Sequence, residues 1–288
     1  MYNLETDLIL PETDKMAKHA LVVDNDFFFM EFLSDLLEKR GYKVSKAQNG
    51  KDGISRLKEG PVDFLFLEII LPKIDGRQVI KFARKRFEDN HFPIIAVSGY
   101  LVEQMDDLGQ IGADYYIAKG AIEKMGDHVD KFLDRIENQP LPGPDAKVIL
   151  EEPGQVYPRQ SSAGLMDILN FSQAVTESAG IGIIVVDSDA KIICANTPAL
   201  EIVDRPMEDI LNTYITKIFP VEEKERLADA LKRVIKKGDG PRNIGFFVKM
   251  DSRRIRTNIS ALKVHDKKIG WVITMDDMDR RGNQGLID

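Results

Sequence analysis

Between Ala17 and Glu137, five short apolar runs alternate with longer amphipathic stretches, and this rhythm constrains the chain more than any other feature. The runs are Ala20 to Val23, Tyr42 to Val44, Val62 to Leu67, Pro93 to Val97 and Tyr115 to Ala118. Each is mostly β-branched or aromatic and ends at polar residues or glycine. Such short, mostly apolar runs read as five buried strands. Phe27 to Arg40 and Gln78 to Phe87 have helical spacing, and Gly41 after Lys39 and Arg40 supplies a helix stop behind basic residues that suit a helix carboxyl end. Strands and helices in this order predict an α/β domain, a doubly wound five-stranded parallel sheet.

The rhythm then changes. Pro140, Pro142, Pro144, Pro153 and Pro158 interrupt any regular ladder, so residues 138–160 read as a semi-stiff linker. Ser161 or Ser162 is placed to cap a helix running to about Ser178, with Leu165, Ile168, Leu169, Phe171 and Val175 on one side. That stripe either packs on its own domain or pairs with a second copy in a homodimer. From Gly180, strands flank a helical middle, Pro198 to Lys237. Period-two alternation puts Ile244, Phe246, Val248 and Met250 on one face of a strand, Ile255, Thr257, Ile259 and Ala261 on one face of the next, and Ile269, Trp271, Ile273 and Met275 on one face of the last. Turn residues separate these strands, giving an α+β domain with an antiparallel sheet covered on one face. The expected division is a tail (1–16), the α/β domain (17–137), the linker (138–160), the amphipathic helix (161–179), the α+β domain (180–279) and a second tail (280–288).

A chain of 288 residues is long enough for two such cores, and its net charge of -7 argues against direct nucleic-acid binding. Cys194 is the only cysteine, so no intramolecular disulfide forms, and four histidines at scattered positions make no spaced metal cluster. Residues 1–15 carry Glu5, Asp7, Glu12 and Asp14 rather than a basic segment followed by an apolar run, and no later stretch has the apolar length of a membrane helix. A cytoplasmic protein with no membrane partner is expected.

In a parallel sheet, functional groups gather at the carboxyl ends of the strands. Here the first strand ends in Asp24-Asn25-Asp26, the third in Glu68, the fourth in Ser98-Gly99 and the fifth in Lys119-Gly120. Each alone is an ordinary turn or solvated residue; together, in this order, they resemble the receiver domain of bacterial two-component response regulators, a flavodoxin-like fold, over about residues 17–137. Leu21-Val22-Val23-Asp24-Asn25-Asp26 resembles the family's first strand and acidic cluster. Leu67-Glu68-Ile69-Ile70-Leu71-Pro72-Lys73-Ile74-Asp75-Gly76 resembles its phosphoacceptor strand and following turn. The resemblance implies that Ser98 is the family's hydroxyl residue, Tyr116 its switch aromatic and Lys119 its lysine. It also implies an aspartate nucleophile and a magnesium ion held by two further acids, and here the sequence departs from it.

Glu68 stands at the nucleophile position and Asn25 replaces one of the paired acids. The extra methylene of Glu68 carries its carboxylate past the attacking position toward the place of a transferred phosphoryl group, and a misplacement of about 1 Å can cost ~100-fold in rate. Asn25 removes a charge from the metal site, so magnesium is expected to be held weakly, with Asp24 its remaining ligand. Gly120 replaces the proline that follows the lysine in the family. Two consequences compete: Glu68 pairs with Lys119 and imitates phosphorylation, or the domain is a passive docking platform. Slow magnesium-dependent phosphotransfer in a working phosphorelay is the alternative.

Gly180 to Asp187 followed by Ala190 to Asn196 resembles the opening hairpin of a PAS domain, over about residues 175–279. Asn196 is placed to cap the next helix. PAS domains enclose a small cavity, yet no histidine lies in the helical middle for haem, and Cys194 precedes Asn196 within the strand rather than following it as a flavin-reactive cysteine would. Cys194 reads as a small core residue, and Arg253, Arg254 and Arg256 read as a solvated face more readily than as an anion site. No cofactor is expected, and the PAS ligand is left undefined. After the PAS-like region only Asp279 to Asp288 follow, so no DNA-reading element is expected and control of transcription would act through a partner. Kinase histidine and nucleotide-binding motifs are absent. The expected function is a non-enzymatic adaptor that meets a histidine kinase or another regulator.

Overall fold

Polar side chains set the start of three helices of the first domain. In the computed structural model, which describes residues 17–88, 91–99, 111–137, 150–151, 171–235, 243–264 and 267–281, strand β1 (His19–Val23) leads to helix α1 (Phe27–Lys39), where Asp26 accepts hydrogen bonds from the N–H groups of Phe28 and Phe29. Strand β2 (Lys43–Ala47) leads to α2 (Gly50–Glu59), capped by Asn49; β3 (Phe64–Leu67) leads to α3 (Gly76–Arg86), capped by Asp75. Strands β4 (Ile94–Ser98) and β5 (Tyr115–Ala118) follow, then α4 (Ile122–Ile136). Such caps satisfy N–H groups that the first helical turn leaves open. Gly41 has a φ of 86° and its N–H donates to the Glu38 carbonyl, which ends α1 as the sequence predicts.

The strands are parallel in the order β2-β1-β3-β4-β5, and β6 (Leu150–Glu151) extends the sheet by pairing in parallel with β5. The proline-rich stretch thus contributes two residues to the first sheet, a pairing too short to show as a pattern. Successive residues point to opposite faces. Leu21, Val23, Leu65, Leu67, Ile94 and Ala96 join Ile54, Leu57, Val79 and Phe82 on one side, whereas Ala20, Val22, Phe64, Phe66, Ile95 and Val97 join Leu33, Leu37, Val129 and Phe132 on the other. Burial on both sides explains the apolar runs of β1, β3 and β4, whereas β2, at the sheet edge, is exposed or half-buried from Lys43 to Lys46 and is not the buried strand that the Tyr42 to Val44 run predicts.

The second domain opens with β7 (Gly182–Asp187) and β8 (Ile192–Ala195), continues through α5 (Thr197–Val203), α6 (Met207–Ile210) and α7 (Lys224–Ile235), and closes with β9 (Asn243–Met250), β10 (Arg253–Val264), β11 (Lys267–Asp277) and the short α8 (Met278–Arg281). Its antiparallel sheet has the order β8-β7-β11-β10-β9. Phe246, Val248, Ile255, Ile259, Trp271 and Ile273 face Leu227, Leu231 and Val234 of α7, and the Trp271 indole N–H donates to the Leu231 carbonyl at 2.9 Å.

Two positions depart from the alternation. The register of β7 with β8 shifts so that Val185 faces Cys194 and Val186 faces Ile192. The extra residue, Ile193, reverses the facing, so Cys194 is exposed rather than a core residue. Ile269 is exposed beside the register shift at Leu262 and Lys263, while Trp271, Ile273 and Met275 are buried. Ser161, Ser162, Leu165, Ile168 and Leu169 lie outside the described residues; Phe171 and Val175, within the helical stretch 171–177, are exposed.

Candidate functional site

The carboxyl ends of β1, β3, β4 and β5 bring Asp24, Glu68, Ser98 and Lys119 together in one nearly dry pocket. Oε1 of Glu68 accepts hydrogen bonds from the backbone N–H groups of Ile69 at 2.7 Å and Ile70 at 3.1 Å, and from the Ser98 hydroxyl. Oε2 of Glu68 lies 2.8 Å from Nζ of Lys119, which also lies 2.6 Å from Oδ2 of Asp24. The lysine thus bridges two buried carboxylates, and its ammonium sits 4.5 Å from the centre of the Phe29 ring.

Burial disfavours the ammonium of Lys119, but Glu68 and Asp24 outweigh it and hold its pKa above the ordinary lysine value. For Asp24 burial dominates and raises the carboxyl above its usual range; Lys119 opposes the shift and the neighbouring Glu68 adds to it.

The remaining acidic-cluster residues are placed otherwise. Asn25 is exposed, and Asp26 caps α1. Oδ1 of Asp24 accepts the Asp26 N–H at 2.9 Å, so both Asp24 oxygens have partners. This donor set fits a hard divalent cation poorly: the Asp24 carboxylate is engaged by an ammonium, Asp26 by a helix terminus, and Asn25 is neutral. Among the described residues no group of three or more histidine, cysteine, aspartate or glutamate side chains is arranged to hold a metal.

Tyr116 is fully buried, and its hydroxyl oxygen accepts the Ala113 N–H at 3.1 Å. Gly120 donates its N–H toward Sδ of Met125. In the second domain Oδ1 of Asn196 accepts from Ala199 at the start of α5 and from Ile183, while its amide donates to the carbonyls of Thr176 and Ile181. The three arginines do not converge. Arg253 donates to the Glu201 and Ile202 carbonyls at the end of α5, and Arg254 stacks 4.1 Å from the Phe247 ring centre.

Sequence reasoning missed three features. The backbone donors of Ile69 and Ile70 carry no residue signature. The Asp24–Lys119 contact depends on how far apart β1 and β5 lie. Phe29 was visible in the Phe27-Phe28-Phe29 run, but only the helix turn shows which ring lies under the lysine.

The family model for the response regulator receiver domain matches residues 20–130, and that for the PAS fold matches residues 170–278. The chain is 29% identical over 105 residues to the polar-differentiation response regulator DivK of Brucella anthropi, a match covering 36% of this chain and 85% of that one. Among solved structures, a CheY-like receiver domain protein from Methanospirillum hungatei is 27% identical with a TM-score of 0.35, covering 42% of this chain and 97% of the other. A PAS domain from Colwellia psychrerythraea is 13% identical with a TM-score of 0.34, covering 40% of this chain and all (100%) of the other.

Proposed function

We propose that this chain, a two-component signalling regulator in which a response regulator receiver domain is followed by a PAS domain, is a non-enzymatic adaptor whose Glu68 carboxylate stands in for a phosphoryl group. The observation that carries the reading is the set of donors on one side chain: two backbone N–H groups, a hydroxyl and an ammonium. A phosphoryl group on a shorter aspartate would call on the same kinds of donor for its oxygens. Because the Glu68 oxygens already hold these donors, neither is free to attack an incoming phosphorus. The same arrangement argues against appreciable magnesium affinity.

The test is incubation of the full chain with a labelled small phosphodonor, with and without magnesium. No hydroxylamine-labile label is expected on the wild type, and Glu68→Asp combined with Asn25→Asp should gain some. Labelling of the wild type as fast as an ordinary receiver would return the domain to a working phosphorelay. Glu68→Gln should shift the NMR signals of Ser98, Tyr116 and the start of α4; if these stay in place with the fold intact, the receiver is a passive docking platform.

Receiver domains interact with histidine kinases or other signalling proteins, and such a partner in the cytoplasm is proposed here. Phe27, Phe28 and Ile122, exposed at the same edge of the sheet as the pocket, support it. The PAS domain serves sensing or protein contact. Among the described residues no helix is long and apolar enough to cross a membrane. The exposure of Phe171 and Val175 supports a homodimer through the helix that precedes β7. Replacing Ile168 and Leu169 with glutamate should then convert a dimer to a monomer in sedimentation velocity, and a wild type already monomeric at high concentration would remove the basis for it.

A further inference from the structure

The PAS domain is seated on the α2–α3 face of the receiver. Nζ of Lys51, in the first turn of α2, pairs with Asp187 and, at 2.7 Å, with Asp189 in the turn after β7. The amide of Asn212 donates to the Lys51 carbonyl at 3.1 Å and to the Ser55 hydroxyl at 3.0 Å. Lys58 donates to the Leu211 and Asn212 carbonyls, and Lys85 of α3 lies 2.8 Å from Asp209 of α6. Lys51, Asp187 and Asn212 are each less than a tenth exposed, with relative accessibilities of 7%, 7% and 5%. A buried lysine is stable only with its countercharge in place, so this contact holds a specific position as a surface ion pair would not.

From this latch to the Glu68 pocket, backbone touches backbone. Gly50 precedes Lys51, and a Cβ there would fall 2.0 Å from the Ile74 carbonyl oxygen. Gly76 starts α3, and a Cβ there would fall 2.5 Å from the Glu68 carbonyl oxygen and 2.8 Å from Cα of Ile69. The Gly76 N–H also donates to the Ile69 carbonyl at 2.8 Å. Ile69 and Ile70 in turn hold the Glu68 carboxylate. No side chain lies between these contacts to absorb a displacement, and packed elements of this kind shift between discrete arrangements.

We propose that the α2–α3 face is a regulatory docking surface for the PAS domain of the same chain, and that seating of the PAS domain and closure of the Glu68 pocket stabilise each other. The inference rests on reading Glu68 as a fixed phosphoryl stand-in. It adds the route by which a signal at the PAS domain reaches it: an event that moves the turn carrying Asp187 releases Lys51, frees the start of α2 and loosens the Ile69–Ile70 cradle. Coupling of this kind is reciprocal, so opening the cradle must also loosen the PAS seat.

Amide hydrogen exchange by NMR on the full chain tests it, with Lys51→Gln and Glu68→Gln beside the wild type. Lys51→Gln should speed exchange at Asn212 and Thr213 and, by about fivefold or more, at Ile69 and Ile70, while Val129 and Leu133 of α4 keep their protection. Glu68→Gln should speed exchange at Asn212 and Thr213 in return. Faster exchange at Asn212 and Thr213 with Ile69 and Ile70 unchanged would overturn the coupling, and so would a Lys51→Gln chain that keeps the whole wild-type pattern. Should Lys51→Gln fail to fold, Lys85→Glu weakens the same face at an exposed pair. It should give a smaller effect at the same amides, restored by adding Asp209→Lys, and absence of either result would equally overturn the proposal. Failure of the phosphoryl stand-in is seen separately, as a Glu68→Gln chain unchanged at Ser98 and Tyr116, because the Lys51→Gln experiment leaves Glu68 intact.

Discussion

Lys119 answers two carboxylates, Asp24 and Glu68, and its replacement would leave both charges where water reaches poorly. Lys119→Met keeps most of the stem and removes the ammonium, so it should cost about 3–5 kcal/mol near neutrality, the range for breaking a buried ion pair on one side. The cost depends on pH in a definite direction. Burial already raises the Asp24 carboxyl above its ordinary 3.8 against the opposing pull of Lys119. A carboxyl raised on folding contributes stability fully present below its unfolded value and lost as pH rises through the folded one. Removing Lys119 leaves that loss unopposed. Lys119 itself is held above its ordinary 10.5, so in the wild type its contribution persists below 10.5 and disappears only as pH rises through the raised value. The stability gap between wild type and Lys119→Met in urea unfolding should therefore widen from mild acid to neutrality and close again in strong alkali. A gap of constant size across that range would mean that the lysine contributes packing rather than charge. The four pocket side chains were legible in the sequence because strand ends mark where a parallel sheet places its functional groups. The double duty of Lys119 was not, because pairing between residues 24 and 119 is a property of the folded sheet.

Glycine decides how closely the elements pack, and two helical glycines should respond to alanine with opposite signs. Replacing a helical glycine by alanine stabilises by about 0.5–1 kcal/mol where space is open. At Gly126, inside α4, an added Cβ would meet only Leu36 and Phe32 side-chain atoms at 4.0 Å, so Gly126→Ala should raise stability by that amount. At Gly50 the same methyl would strike the Ile74 carbonyl, a backbone atom that cannot rotate away, and Gly50→Ala should lower stability by about 1–3 kcal/mol despite its better helix propensity. Thermal melts of the two variants check both signs at once; equal shifts would show that α2 can slide off the β3–α3 loop freely. The glycines of α2 also explain why that helix is hard to read from sequence. Gly50 and Gly53 weaken its propensity, and it forms because Ile54 and Leu57 bury against the sheet. The long strands were legible through their alternation, and the misreadings at Cys194 and Ile269 fall beside register shifts, where one extra residue reverses the facing.

Across the whole molecule, length and composition announce two cores, but not that one core takes a residue from the other domain. Ile210 and Leu211 are neighbours in the chain, at the end of α6 and just after it, yet they are buried in different clusters. Ile210 belongs to the PAS core with Ile184 and Val248, and Leu211 to the receiver core with Ile54, Val79 and Phe82. No periodicity of the PAS sequence marks Leu211 as an outgoing residue, since an apolar side chain after a short helix reads equally well as part of its own core. The division should be visible in scanning calorimetry of the full chain. Leu211→Ala removes side-chain volume from the receiver cluster and should cost about 2–5 kcal/mol, lowering the receiver transition although the substitution lies in the PAS domain. It should also move the two transitions apart, because the most buried apolar contact between the domains is lost while Ile193, Met207 and the Lys51–Asp187 pair remain. Ile210→Ala deletes a side chain of similar size one residue earlier and should lower the PAS transition instead. If Leu211→Ala lowers only the PAS transition, Leu211 does not pack with the receiver in solution, and the two domains unfold as independent units joined by a linker.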